Sequence, residues 1–303
     1  MKHYEYRHYG EVAVSNVHAL QDVLRYLNSH DFKRESVGAK QVAVGDYPDF
    51  YDRPLQITGD AIIADYATLR LSSRFQPITT VDGTAIGYKA YLRAASNATR
   101  NYNLDISKLA LAAIDRREIV YLDRLTRTLH ALNYLAQDLN GDLHMSVNPK
   151  HLLEVHGNHG AVFEQILSKC GLETNRIVLE ISEYVSNKEH LQIAIDGWRQ
   201  RRYKIAFDNF TPSPVQIARV LKHKPDIVKI DISSLYIVAG TTEARQLLED
   251  AIEQFGDEGI EAVATHIDDV EDYETAKCYG FAALQGAWLK IESSEQLLQK
   301  VAF

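Results

Sequence analysis

The chain has 303 residues, 46% of them hydrophobic and 24% charged, a globular composition large enough for one big domain or a big one plus a small one. Its formal charge of −8 excludes a general basic surface, so DNA and RNA are not expected as partners, while a small phosphorylated ligand in one pocket is not excluded. No run approaches the ~18 apolar residues of a membrane span, the start MKHYEYRHYG carries no apolar targeting core, and Cys170 and Cys278 lack CxxC spacing. The expectation is a cytoplasmic protein with reduced thiols and no membrane insertion.

In chain order, Leu20, Val23, Leu24 and Leu27 mark an amphipathic helix, KQVAV (40–44) a strand, and GDAIIADYATLR (59–70) a second helix. These are read as a small N-terminal α/β lobe over residues 1–70, either covering a face of the main domain or forming a short sensory unit. From residue 71 onward the pattern changes. Short apolar runs at SRFQPIT (73–79), IGYKAYL (86–92), LHMSVN (143–148), RIVLEIS (176–182), KIAFDNF (204–210), DIVKID (226–231), EAVATHI (261–267) and FAALQGAW (281–288) read as strands. Between them lie helical patterns, such as 117–137 with Leu122, Leu125, Leu129 and Leu132 at three- and four-residue spacing, 244–255 and 268–280. Eight strands mostly alternating with helices predict a TIM-like (βα)8 barrel over residues 71–303. Asp82-Gly83 between the first two runs reads as a hairpin, which makes the first strand antiparallel to its neighbour.

Ligand-facing residues of such barrels stand at the C-terminal strand ends. Those positions carry Lys89 and Arg93, then Asn148, Glu180 with Glu183, Asp208 with Asn209, Lys229 with Asp231, Thr265 to Asp268, and Gln285-Gly286. Each has a structural alternative: Asn148 precedes Pro149 and suits a turn, and Glu183 suits a helix N-terminus. Their convergence on one rim is what points to a site. His144, His151, His156 and His159 lack zinc-site spacing and read as surface histidines.

From Phe75 to the C-terminus the chain resembles the EAL domain, the cyclic di-GMP phosphodiesterase fold. FQPI (75–78) resembles that family's YQPI, GYKAYLR (87–93) its GYEALLR, MSVN (145–148) its LSVN, and VLEISE (178–183) its LEITE. FDNFTPS (207–213) stands for LDDFGTG, VKID (228–231) for LKID, VATHID (263–268) for VAEGVE, and LQG (284–286) for the QG. The resemblance implies a site that, in active members, holds two divalent ions on carboxylates and an asparagine. Carried over, the remnant ligand positions are Asn148, Glu180, Asp208 and Asn209, and the lysine that assists the attacking water is Lys229. Gln76, Lys89, Tyr91, Arg93, Asp231 and Gln285 are the candidates for lining a nucleotide pocket.

Three departures bear on activity. The motif glutamate is Lys89, the second aspartate of the DDF pair is Asn209, and the glutamate of AEGVE is Thr265. A charged lysine has no lone pair to offer a metal. An ammonium ~4 Å from a dication, at an effective dielectric near 20, is repelled by on the order of 8 kcal/mol before relaxation. Lys89 either stands in for the cation between Glu180 and Asp208 or extends its stem over Tyr88 or Tyr91 to solvent. The bulkier Tyr91, prolines Pro212 and Pro214 in the altered loop, and His266 in place of a glycine also depart from the pattern.

The expected function is accordingly a non-catalytic EAL-type regulator in cyclic di-GMP signalling, acting through an unknown regulatory protein and needing no cofactor. A metal-independent cyclic di-GMP receptor, with Arg93 gripping a phosphate, is the alternative. A weak phosphodiesterase using Mg2+ or Mn2+ is the second alternative. A homodimer is compatible with the family, although the FTPSP segment puts its usual contact in doubt.

Overall fold

Each of the eight apolar runs is a strand in the computed structural model, which describes residues 20–27, 55–58, 61–66, 69–96, 116–148, 160–182, 188–233 and 242–289. The strands are β1 (Leu55–Thr58), β2 (Ala61–Tyr66), β3 (Leu69–Thr79), β4 (Ala85–Ser96), β5 (Asp142–Ser146), β6 (Ile177–Ser182), β7 (Lys204–Phe210), β8 (Ile227–Asp231), β9 (Glu261–Thr265) and β10 (Ala283–Gln285). The helices are α1 (Gln21–Leu27), α2 (Arg116–Ala136), α3 (Ala161–Lys169), α4 (Lys188–Gln200), α5 (Pro214–His223), α6 (Thr242–Asp257) and α7 (Val270–Cys278). KQVAV, Glu183, His151, His156 and His159 lie outside the described residues.

Strands β3 to β10 close into an eight-stranded barrel. β4 through β10 run parallel to one another, and β3 is antiparallel to both of its barrel neighbours, β4 and β10. The antiparallel start follows from the hairpin read in the sequence. Gly83 turns the chain at φ 88°, and its N–H donates to Thr80 O at 3.0 Å.

The stretch 59–70 is not the expected helix. Of its described residues, Ala61–Tyr66 form β2, hydrogen-bonded to β1 on one edge and to β3 on the other, and Leu69 and Arg70 begin β3. A continuous apolar run fits either a helix or a strand buried on both faces, and here Ile62, Ile63 and Ala64 are all buried. Helix α2 settles the choice by supplying a side-chain partner to the strand backbone. Asn133 accepts from Ile62 N–H at 2.9 Å and donates to Ile62 O at 2.7 Å. One turn earlier on the same helix, His130 Nδ1 meets Ser73 Oγ at 2.7 Å.

Outside the ring, leucines 122, 125, 129 and 132 of α2 bury the stripe that their spacing foretold. Inside it, Ile78, Val178, Ala206, Ile227, Val263 and Ala283, from six different strands, pack as an apolar plug. Alternate residues of a strand share a face, so the next lumen residue toward the mouth on each strand rests on that plug. Cys170 is buried, where desolvation pushes its thiol up to about 12, and Cys278 is exposed.

Candidate functional site

Two residues beyond the plug, the lumen turns polar. Glu180 follows Val178, Asp208 follows Ala206, Lys229 follows Ile227, Thr265 follows Val263 and Gln285 follows Ala283. On β3, which runs the other way, Gln76 precedes Ile78, and it is paired in register with Lys89 of β4. Lys89 is in turn paired with His144 of β5. Strand register and the two-residue period thus bring eight polar side chains into one layer at the mouth.

Lys89 is the hub of this layer. Its Nζ donates to Glu180 Oε2 and, at 2.9 Å, to Asp208 Oδ2. The other Glu180 oxygen, Oε1, takes Lys229 Nζ and lies 3.2 Å from His144 Nδ1. Two ammonium groups therefore face two carboxylates in a set that is electrically balanced without any added ion. Lys89 does not extend to solvent: it is 7% exposed, Glu180 1% and Lys229 0%.

The ionisation states follow from these contacts. Burial opposes the Lys89 charge, but the adjacent Glu180 and Asp208 outweigh it and raise the lysine above its ordinary 10.5. Burial likewise opposes the charge on Glu180, and Lys229 and Lys89 together hold its carboxyl well below the usual range. Lys229 is pushed down, first by its complete burial and then by the neighbouring Lys89, with Glu180 opposing. His144 is held at about 4 by burial and the two lysines, and so is neutral. Its placement corrects the surface reading, because His144 is 3% exposed inside the barrel. The two-residue period from His144 to Asp142 and Ser146 is the signal that places it in the lumen; its proximity in sequence to other histidines is not.

A second cluster adjoins the first. Lys229 Nζ donates to Gln285 Oε1 at 2.8 Å, which turns the Gln285 amide so that Nε2 points to β3 and β4. Nε2 reaches Gln76 Oε1 at 2.7 Å and the Tyr91 hydroxyl at 3.0 Å, and that hydroxyl donates to Gln76 Oε1 at 3.0 Å. Gln76, Tyr91 and Gln285 are thereby brought together, in contact with the ion cluster. The Tyr91 ring centroid lies 5.7 Å from Lys89 Nζ.

The remaining candidates sit on the rim. Arg93, half-buried, shares its face of β4 with Lys89 and Tyr91. Asn148 is half-buried beyond the end of β5, its backbone N–H donating to Asp123 Oδ1 at 3.2 Å. Asp231 accepts from Ser233 N–H and Oγ at 2.9 and 2.7 Å and lies 3.2 Å from His266 Nδ1. Asn209 is exposed and in the left-handed region at φ 59°, its N–H donating to Asp208 Oδ1 at 3.0 Å. His266 also adopts a left-handed φ of 60°, the strain expected from a side chain in place of glycine. Thr265 is buried, with its hydroxyl 3.3 Å from Ile230 O. In the altered loop, Ser213 caps α5 by accepting from Gln216 N–H, and Pro214 occupies the first turn where it needs no donor.

The divalent ions implied by the resemblance do not fit this donor set. Both Glu180 oxygens and Asp208 Oδ2 are taken by ammonium groups. Among the described residues, no group of three or more His, Cys, Asp or Glu side chains is placed to hold a metal ion. A hard dication wants six or more oxygens and an excess of negative charge, whereas this cluster is already neutral.

Comparison with known proteins supplies the family. The EAL domain profile matches residues 62–290. Over 101 residues the chain is 30% identical to PdeI, a probable cyclic di-GMP phosphodiesterase of Escherichia coli K12, a stretch that covers 33% of this chain and 13% of that one. Among solved structures, the EAL enzyme Bd1971, bound to cAMP and cyclic di-GMP, aligns with a TM-score of 0.61 at 16% identity, covering 75% of this chain and 64% of its own. The Bacillus subtilis YkuI protein, in complex with cyclic di-GMP and calcium, aligns with a TM-score of 0.61 at 19% identity, over 76% and 60% of the two chains. The chain thus spans less than two thirds of each of these relatives, and at such structural identities the likeness shows the fold. No helix among the described residues is long and apolar enough to cross a membrane. With the profile matched over well more than half of its length, the chain belongs to the EAL domain family.

Proposed function

We propose that this chain is a catalytically silent EAL-family regulator in cyclic di-GMP signalling that acts by contact with another protein in the cytoplasm. The supporting observation is the position of the Lys89 ammonium between Glu180 and Asp208. A phosphodiesterase of the two-metal kind needs those carboxylates to hold ions that polarise phosphate and generate hydroxide. Here they hold lysines instead. With the lumen filled by its own side chains, the outer surface is what remains for a signalling role.

A metal-independent cyclic di-GMP receptor is the second reading, favoured by Arg93 standing on the ligand side of β4 beyond Tyr91. An arginine fork matches a phosphodiester without help from a metal. Residual hydrolysis is the weakest reading, because it requires Mg2+ or Mn2+ to displace Lys89. We also assign residues 1–70 to a small lobe and 71–303 to the barrel; β1 and β2 join the lobe to the barrel through the β2–β3 ladder.

Calorimetric titration with cyclic di-GMP, first in EDTA and then with Mn2+, separates the three. No heat under either condition supports a purely protein-binding regulator. Heat in EDTA that is lost in Arg93→Ala supports the receptor. Formation of the linear dinucleotide in Mn2+ would overturn the silent assignment.

A further inference from the structure

The ion cluster lies at the open end of a barrel, where water should reach it, yet its three central members are almost wholly buried. The exposed group beside them is Tyr91, at 40%. Lys89 has three N–H donors. Glu180 and Asp208 take two, and the Tyr91 ring, 5.7 Å away, is the neighbour left for the third. That ring is not free to swing. Its hydroxyl is tied to Gln76 and Gln285, both at 3.0 Å, and Gln285 is itself held by Lys229. Tyr91, Gln76 and Gln285 come from β4, β3 and β10, three adjacent strands, so the tie closes one continuous sector of the mouth.

We propose that Tyr91 is a pinned roof, an autoinhibitory contact that shuts water and phosphate-bearing ligands away from the Lys89 ammonium. The sector opposite is guarded by Asp208, whose carboxylate repels a phosphate approaching from that side. A phosphate group can use the third Lys89 donor only after the Tyr91 hydroxyl leaves Gln76 and Gln285. Ligand entry is therefore coupled to the breaking of two named hydrogen bonds. The inference rests on the metal-free cluster proposed above, with which it shares Lys89, but it concerns access and not charge.

Lysine ammonium groups give proton–nitrogen correlation signals only when their exchange with water is slow, which makes access directly observable. In the unsubstituted protein in EDTA, Lys89 and Lys229 should both give signals, assigned by the loss of one in Lys89→Met. In Tyr91→Ala the Lys89 signal should broaden away, its exchange faster by on the order of tenfold or more, while the Lys229 signal persists and reports an intact layer. Inorganic phosphate should then restore the Lys89 signal in Tyr91→Ala and leave the unsubstituted protein unchanged. A Lys89 signal that survives in Tyr91→Ala, or is missing from the unsubstituted protein while Lys229 is seen, would overturn the roof. If Tyr91→Ala loses both signals, Tyr91→Leu decides, since it keeps apolar bulk without the hydroxyl: loss of Lys89 alone supports the roof, and any other pattern refutes it. Mn2+ added to the unsubstituted protein tests the underlying reading separately. Paramagnetic loss of both lysine signals would show a bound metal and sink the metal-free cluster, independently of what Tyr91→Ala does.

Discussion

Replacing Lys89 by methionine keeps the stem and deletes the charge, which isolates the ammonium's contribution. The side chains of Lys89 and Glu180 are 9% and 0% exposed, so their ion pair is a buried one. Removing one member of a buried pair costs about 3–5 kcal/mol, because the partner charge stays behind. Two features place this case at the lower end. Glu180 retains Lys229 and His144 on its other oxygen, and Asp208, at 18% exposure, can rehydrate. Lys89→Met should therefore destabilise the protein by about 3 kcal/mol, lowering Tm by about 6 °C in a chain of this size. Urea denaturation followed by circular dichroism at neutral pH measures it. The pH dependence carries its own sign. The Lys89 value is raised above 10.5, so its stabilisation is complete below that pH and fades only as pH climbs through the higher folded value. Glu180 is depressed below 4.5, so its share is present above that pH and is lost as pH falls through the folded value. The deficit of Lys89→Met should thus be constant from neutrality to 10.5 and narrow below 4.5. A loss under about 1 kcal/mol at neutral pH would refute the buried pairing, since that is what an exposed pair is worth.

Three further outcomes follow from the same layer. Lys89→Glu gathers three carboxylates, so it should melt lower than the unsubstituted protein in EDTA and recover in Mn2+, a recovery the unsubstituted protein does not show; equal melting in both media would contradict the vacated-cation account. His144 is held near 4 by burial and the lysines, so the native protein refuses a proton that the unfolded chain takes below 6.5, and stability drains as pH falls between the two. His144→Gln should remove up to about 1.4 kcal/mol per pH unit from that acid slope, leaving the share of buried His130, whose value is about 3; an unchanged slope in the denaturation series would place His144 in water. Gly286→Ala would drive a Cβ into the backbone N, C and O of Ile267, which cannot move aside as a side-chain tip can. A loss of more than about 3 kcal/mol is expected, and a tolerated alanine would show that β10 and the loop after β9 are further apart than described.

Much of the barrel is legible in the sequence. Strand alternation, leucine spacing in α2 and the Asp82-Gly83 turn are local signals, decided within a few residues of themselves. The error at 59–70 had the opposite origin. AIIADY fits two periods, and the choice was made by Asn133, 71 residues away, through its bonds to Ile62. His144 was misjudged for a related reason: grouping it with His151, His156 and His159 used nearness in sequence, while its partner Glu180 lies 36 residues on. Seven of the eight residues of the polar layer, all but His144, were named from the sequence, but its wiring was not, including the Gln285 amide turned by Lys229 to pin Tyr91.

The sequence puts a cation at position 89, where the EAL motif it resembles has an anion, and sets the polar rim on a (βα)8 frame, because strand period and motif order are written along the chain. Whether that cation points outward or inward is a matter of register. Lys89 meets Glu180 and Asp208 across separations of 91 and 119 residues, and those contacts exist only once the barrel closes. Closure also strips most of the water from these groups, and with it gone two ammonium groups and two carboxylates pair with one another under one tyrosine.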